Sequence, residues 1–587
     1  MMSRRVRARR FLVQFLIVTA AVLGIAAVAL FLLLMDAEQK SRKEDTSRQP
    51  EIFDAVPKQA EEMHSAEQES DQMAEMPSKP EDEQIVTQST LNETNEDLFA
   101  ASGIHEECFR LIEDIIETDV RYGFPGAQLA VMRGGRLIYA NAWGSKNAYL
   151  PDGTPNPDGG KVDNDTLYDL ASVSKIIGVN YALQKLVSEG RLTLDEHVTD
   201  YLGERFSADT LEIRYKDGTD ADLETQRQWK AALTLRELLM HQGGFPADPR
   251  YFNPYINAAT QEYDPDSENV LFAGNGADEA TRQATVEAIC RTPLLYEPGT
   301  KTVYSDTDYM ILGLVVESIT GKDLDTCLKE EFCNPMGLTH VTYNPLQHGF
   351  SATDCAATEL NGNTRDGYIT FDGIRTYTLQ GEVHDEKAWY SMGGVSGHAG
   401  LFSNATDLAR LGNLMLSGKI GDRIVFTPEV IRDFTAPKSP EAKNWGLGWW
   451  RQGDAQRTKY FGTGAGDGVF GHQGWTGTLL MIDPERELVI AFLTNKINSP
   501  VTDKKSNANK FNGNWYTTST LGFVPEILYR GMDEDTDVTG ALEEVIDQLV
   551  ADAEEAVTSR MPDSHPAVKN RDSKREIAMR FSEETGG

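Results

Sequence analysis

The run Gly126-Ala-Gln-Leu-Ala-Val-Met-Arg-Gly-Gly-Arg-Leu-Ile-Tyr-Ala-Asn-Ala142 holds two strand-like segments on either side of Gly134-Gly135. Two adjacent glycines between β-favouring runs read as a hairpin, because both positions accept the backbone angles of a tight turn. Far downstream, Phe470 to Ile482 and Glu487 to Thr494 flank Asp483-Pro484-Glu485-Arg486, a second hairpin. Helical spacing marks Ile104 to Val120 before the first hairpin. It also marks Ile176 to Glu189, Leu235 to Met240 and Tyr309 to Ile319 between the two. Strands at both ends with helices in the middle predict an α+β domain: an antiparallel sheet flanked by helices, with a helical subdomain inserted.

Outside this domain the composition changes. Phe11 to Met35 is apolar except for Gln14 and Thr19, and Arg4, Arg5, Arg7, Arg9 and Arg10 precede it. At ~1.5 Å rise per residue the run spans a bilayer core of ~30 Å. The arginines hold residues 1–10 in the cytoplasm and put everything after Met35 outside. Leu33-Leu34-Met35-Asp36 is no small-residue cleavage site, so 11–35 is expected to be an uncleaved transmembrane signal anchor. Residues 36–97 are acidic and aperiodic, and read as a disordered tether. The folded domain is expected over 98–532. An acidic tail follows at 533–587, with one helix at Val545 to Ala556 and a disordered end from Met561. Leu211 to Lys230 and Pro246 to Ala280 look like insertions; long loops are often functional, and surface elaboration is the plainer reading.

The chain has 587 residues and a net charge of −35, which excludes nucleic acid as a partner because phosphates would be repelled. Its five cysteines, Cys108, Cys290, Cys327, Cys333 and Cys355, form no disulfide framework; buried thiols are expected, and the most obvious pair, were one to form, is Cys327–Cys333.

Three motifs carry chemistry. Ser172-Val-Ser-Lys175 is the only Ser-x-x-Lys in the chain. At the start of a helix its two ends share a face, and a buried lysine whose pKa falls can take the serine proton. Tyr304-Ser305-Asp306 follows Glu297-Pro-Gly299. His472-Gln-Gly474-Trp-Thr-Gly477 lies on the strand before the last hairpin, where Gly474 would let a substrate backbone lie close.

In this order the motifs resemble the serine β-lactamase and penicillin-binding protein superfamily, class C branch. Leu233-Thr-Leu-Arg-Glu-Leu-Leu-Met-His241, Gly381-Glu-Val-His-Asp385 and Gly393-Gly-Val-Ser-Gly-His-Ala-Gly400 bring the chain nearest the penicillin-binding protein 4B type of D-alanyl-D-alanine carboxypeptidase. The likeness spans about Leu98 to Met532. It implies that Ser172 attacks a carbonyl while Lys175 and Tyr304 manage its proton. The backbone N–H groups of Ser172 and Trp475 would form the oxyanion hole, and Asp306, His472 and Gly474 would line the groove. No metal and no organic cofactor is implied. The expected partners are peptidoglycan stem peptides or other small acyl substrates and, through the anchor, the membrane. The location is the outer face of the cytoplasmic membrane.

Two positions depart from the family pattern. Asp306 stands where asparagine is usual, so it accepts hydrogen bonds but does not donate when ionised. His472 stands for lysine and would be only partly charged near neutral pH, which weakens a carboxylate site unless an arginine supplies the charge. A class C-like esterase or β-lactamase, and a non-catalytic penicillin-recognising sensor or scaffold, are the competing readings. His384, Asp385 and His398 match no common metal-ligand spacing, and Gly394-Val-Ser396-Gly-His398 is only a near miss for a nucleophile elbow. Trp445, Trp449 and Trp450 read as core or groove wall.

Overall fold

The computed structural model describes residues 99, 101–440, 442–532 and 537–585. The expected anchor at 11–35 and the tether lie outside the described residues. No helix among the described residues is long and apolar enough to cross a membrane.

Both hairpins form. Strands β1 (Gly126–Arg133) and β2 (Arg136–Gly144) turn at Gly134 and Gly135, whose φ angles of 55° and 76° suit glycine. The shorter strands β3 (Tyr168–Asp169), β4 (Val341–Tyr343) and β5 (Leu401–Ser403) build a small second sheet in the order β3-β5-β4. Strands β6 (Trp450–Arg451), β7 (Phe470–Gly474), β8 (Thr478–Asp483) and β9 (Leu488–Thr494) complete the main sheet. Its order is β2-β1-β9-β8-β7-β6, antiparallel at every pairing. The two hairpins meet at the centre, with Ala127 opposite Thr494 and Arg133 opposite Leu488.

Every residue of β9 is buried, because the sheet is covered on both faces. Val489, Ala491 and Leu493 join one core cluster, and Leu488, Ile490 and Phe492 join another. This is the period-two alternation of a strand read from both sides. On the first face the core takes in the inserted helices α2 (Tyr181–Ser188), α4 (Leu235–Leu239), α5 (Glu279–Arg291) and α6 (Asp306–Thr320), with α3 (Leu223–Ala232) at its margin, and α7 (Ala405–Ser417) is the helix that packs directly on β1, β8 and β9. The second face carries α1 (Glu106–Tyr122).

The end of the chain corrects the expectation of one helix and a disordered finish. Helix α8 (Val538–Glu555) is followed by α9 (Pro566–Thr585), and both pack on the second face. Asp119 of α1 is fully buried and accepts from Lys574 and Ser573 of α9 and from the backbone and hydroxyl of Thr518. Helix α9 is therefore held by a buried ion pair rather than by a wide apolar stripe. All five cysteines are buried free thiols.

Candidate active site

Ser172 sits in a turn that the sheet holds from below. Strand β3 ends at Asp169, and Ala171 takes φ 46°, a left-handed angle that costs a non-glycine residue energy. The Asp169 carboxylate accepts from the Ala171 N–H at 2.8 Å and so supports that turn. Thr476 Oγ1 donates to Asp169 O at 2.8 Å and Thr478 Oγ1 to Leu170 O at 3.0 Å, stitching the β7–β8 edge to the same turn. A side chain on Gly474 would collide with Leu170 O and Thr478 Oγ1 at 2.3 and 2.2 Å. The room expected there for a substrate is thus filled by the protein's own backbone, and it is Trp475 and Thr476 that face the cavity.

Lys175 follows on a π-helical turn, Lys175–Asn180, that runs into α2. Its fully buried ammonium donates to Ser172 Oγ at 3.1 Å, Asp306 Oδ1 at 2.8 Å and His398 O at 2.9 Å, and lies 5.0 Å from the Tyr304 ring centre. Burial works to lower its pKa, but Asp306 and Tyr304 outweigh it and hold it above the ordinary lysine value. This corrects the expectation of a lysine poised as a free amine. Tyr304 is raised by burial, against the pull of Lys175, and its hydroxyl interacts with both Ser172 and Lys175.

Asp306 opens α6, where the helix N-terminus favours an anion. Burial would raise its pKa, yet Lys175 and Lys387 hold it far below the usual carboxylate range. His472 is buried, with Nδ1 on Gln473 O at 2.8 Å, and burial and then Lys175 push it well below its ordinary value. The expected partial charge near neutral pH is therefore absent: His472 is a neutral ring. Behind Tyr304, His241 packs at 4.5 Å between ring centres and accepts from Ser305 N–H at 3.2 Å. Burial and Lys175 push it down to about 3.

These groups open on a cavity of about 300 Å³, lined among others by Ser172, Tyr304, Asp306, Asp248, Lys387 and Trp475. Neither the Ser172 nor the Trp475 N–H donates a backbone hydrogen bond among the described residues. Asp385 and His398 do come together, with Nε2 to Oδ1 at 2.8 Å, and their ligand atoms lie within 4.8 Å of Asp306. Lys175 and Lys387 already meet the charge there. His384 stands apart, bonded to Glu359 at 3.0 Å and stacked on Trp475. Ser396 is buried and its Oγ bonds His398 Nδ1 at 2.8 Å, so it offers no exposed nucleophile.

A family model described as Beta-lactamase matches residues 110–513. The chain belongs to the β-lactamase family. Within it, the chain is 42% identical over 435 residues to an Escherichia coli (strain K12) protein named "Putative D-alanyl-D-alanine carboxypeptidase", covering 74% of this chain and 92% of that one. A Salmonella schwarzengrund protein of the same name is 40% identical over 431 residues, covering 73% and 91%. The fold is similar to that of unliganded simvastatin synthase from Aspergillus terreus, with a TM-score of 0.52 and 18% identity over 73% of this chain and all of that one. Family membership makes the chain a serine hydrolase of the β-lactamase and penicillin-binding protein superfamily.

Sequence reading missed Lys387, Asp248 and Arg365 in the cavity wall. The signal for Asp248 lay in the long stretch Pro246 to Ala280, which contributes this wall, and for Lys387 in a lysine set inside the aromatic run to Tyr390.

Proposed function

We propose that the chain works through a Ser172 acyl-enzyme and removes the terminal residue from D-Ala-D-Ala ends of cell-wall peptides. The observation that carries the chemistry is Lys175 Nζ at 3.1 Å from Ser172 Oγ, with Tyr304 interacting with both. Ser172 attacks the carbonyl carbon as its proton passes to Lys175 in the minor fraction of molecules in which that ammonium has first given up its own proton, with Tyr304 beside both groups. The N–H groups of Ser172 and Trp475 receive the charge on oxygen. The same proton then goes to the departing amine, and water cleaves the acyl ester.

Arg457 supports a leaving group with a carboxylate. Its guanidinium lies over Trp445 at 4.9 Å and Trp450 at 4.0 Å, and those rings pack on Tyr304 and His472. Arg457 is in no ion pair among the described residues, and its Nε has no partner. In this reading Arg457 is the cation offered in place of His472, although it stands behind these rings and does not line the cavity. The neutral His472 is the observation that favours the second reading, a class C-like esterase, because it removes a charge the substrate carboxylate would meet. In this reading the anchor at 11–35 holds the enzyme on the outer face of the cytoplasmic membrane, beside the peptidoglycan.

Intact-protein mass spectrometry tests the proposal with a fluorescent penicillin, a p-nitrophenyl ester and a D-Ala-D-Ala peptide. A penicillin adduct and D-alanine release, both lost in Ser172→Ala, are expected. Ester turnover alone moves the assignment to the esterase. An adduct with no turnover of peptide or ester leaves the sensor.

A further inference from the structure

Four charges stand in line beside the nucleophile, from the half-exposed Asp248 to the buried Lys175. Asp248 pairs with Lys387, Lys387 Nζ reaches Asp306 Oδ2 at 3.1 Å, and Asp306 Oδ1 reaches Lys175 Nζ at 2.8 Å. The line ends at Ser172 Oγ. Each comes from a different part of the chain: the 246–280 stretch, the π-helical turn Lys387–Ser391, the first turn of α6, and the turn after Ser172.

The signs alternate and sum to zero. That balance matters because Asp306 holds Lys175 as an ammonium, which must give up a proton before it can take one from serine. A second cation on the other oxygen of Asp306 draws on the same negative charge and repels the charge on Lys175. The side chain of Lys387 is only 6% exposed, so solvent does not explain its charge. Removing Lys387 alone would strand the carboxylates of Asp248 and Asp306, so its loss costs the fold as well as the site. Where the family pattern has a neutral asparagine, this chain has a carboxylate and a lysine on its far oxygen.

We propose that Lys387 is a positioning residue: held by Asp248, it fixes Asp306 through its second oxygen and so sets how readily Lys175 accepts the proton of Ser172. This rests on the reading of Lys175 as the acceptor for Ser172. It also gives the long 246–280 stretch a role, since Asp248 anchors the outer end of the line.

The test measures the rate at which a fluorophosphonate probe labels Ser172, read by intact mass and peptide mapping, with Ser172→Ala as blank. In that reaction the Ser172 oxygen bonds phosphorus, fluoride leaves and the serine proton goes to the base. Lys387→Met is expected to slow labelling about tenfold or more, the factor that one pH unit of proton affinity represents. Lys387→Arg, which keeps the charge, should restore most of the rate. Adding Asp306→Asn to Lys387→Met should recover much of the lost rate, because the carboxylate that Lys387 balances is then gone. Should Lys387→Met fail to fold, Lys387→Gln takes its place. Equal rates in Lys387→Met and the unaltered protein overturn the proposal. So does a double variant as slow as Lys387→Met, the result expected if Lys387 merely props the loop. Labelling that survives in Ser172→Ala overturns the serine assignment itself, and this inference with it.

Discussion

At the scale of single residues, the site works by what each group is allowed to ionise. His472 occupies a lysine's place without a lysine's charge, because its ring is buried and its Nδ1 is spent on the neighbouring carbonyl. Its titration lies well below neutrality, so His472→Asn should leave the pH–rate profile in place between about pH 5.5 and 7.5. Loss of a limb in that range in His472→Asn would mean that the histidine carries charge after all. Ser172, Lys175 and Tyr304 were legible in the sequence because their signal is local: a fixed spacing, or a short phrase after Glu297-Pro-Gly299. The charge on Lys175 was not legible, because its neighbours Asp306 and His398 arrive from distant positions. No local pattern tells which carboxylate a lysine will meet.

At the scale of elements, turn chemistry announced both hairpins, and period-two burial followed from the covered sheet. Helix α9 escaped notice for a physical reason. It buries few apolar side chains and is fastened by Lys574 on Asp119, a contact between residues at opposite ends of the chain. The inserted helices hold a second buried lysine. Lys230 of α3 donates to Cys290 O and to Thr292 O, and burial brings it down to about 7. In the unfolded chain it titrates near 10.4. Below pH 7 both states are charged and the fold bears the whole burial cost. Between the two values the unfolded chain binds the extra proton, so this contribution to stability rises with pH, by at most about 1.4 kcal/mol per unit. Urea denaturation at pH 7 and pH 9 checks it: the stability of the unaltered protein relative to Lys230→Met should increase. A constant difference would mean that Lys230 stays fully charged.

At the scale of the whole molecule, the described residues between 99 and 585 belong to one compact unit, and the residues of the site all lie within it. A chain starting at Leu98 should therefore label at Ser172 within about twofold of the full rate, since surface changes away from the core cost little. A larger loss would assign the preceding residues a part in the site. The pairing of β1 with β9 makes the central sheet from the first and last strands of its hairpins. That topology also fixes an order of events during synthesis. Ser172 leaves the ribosome early, whereas Trp475 and the strands that hold its turn follow roughly 300 residues later, a wait of about 15–60 s at usual elongation rates. Until then the serine lacks both the N–H proposed to receive the oxyanion and the strands that hold its turn. A chain stalled before Trp475 lacks the strands that hold the serine's turn, so reactivity is expected only after the last hairpin has been made.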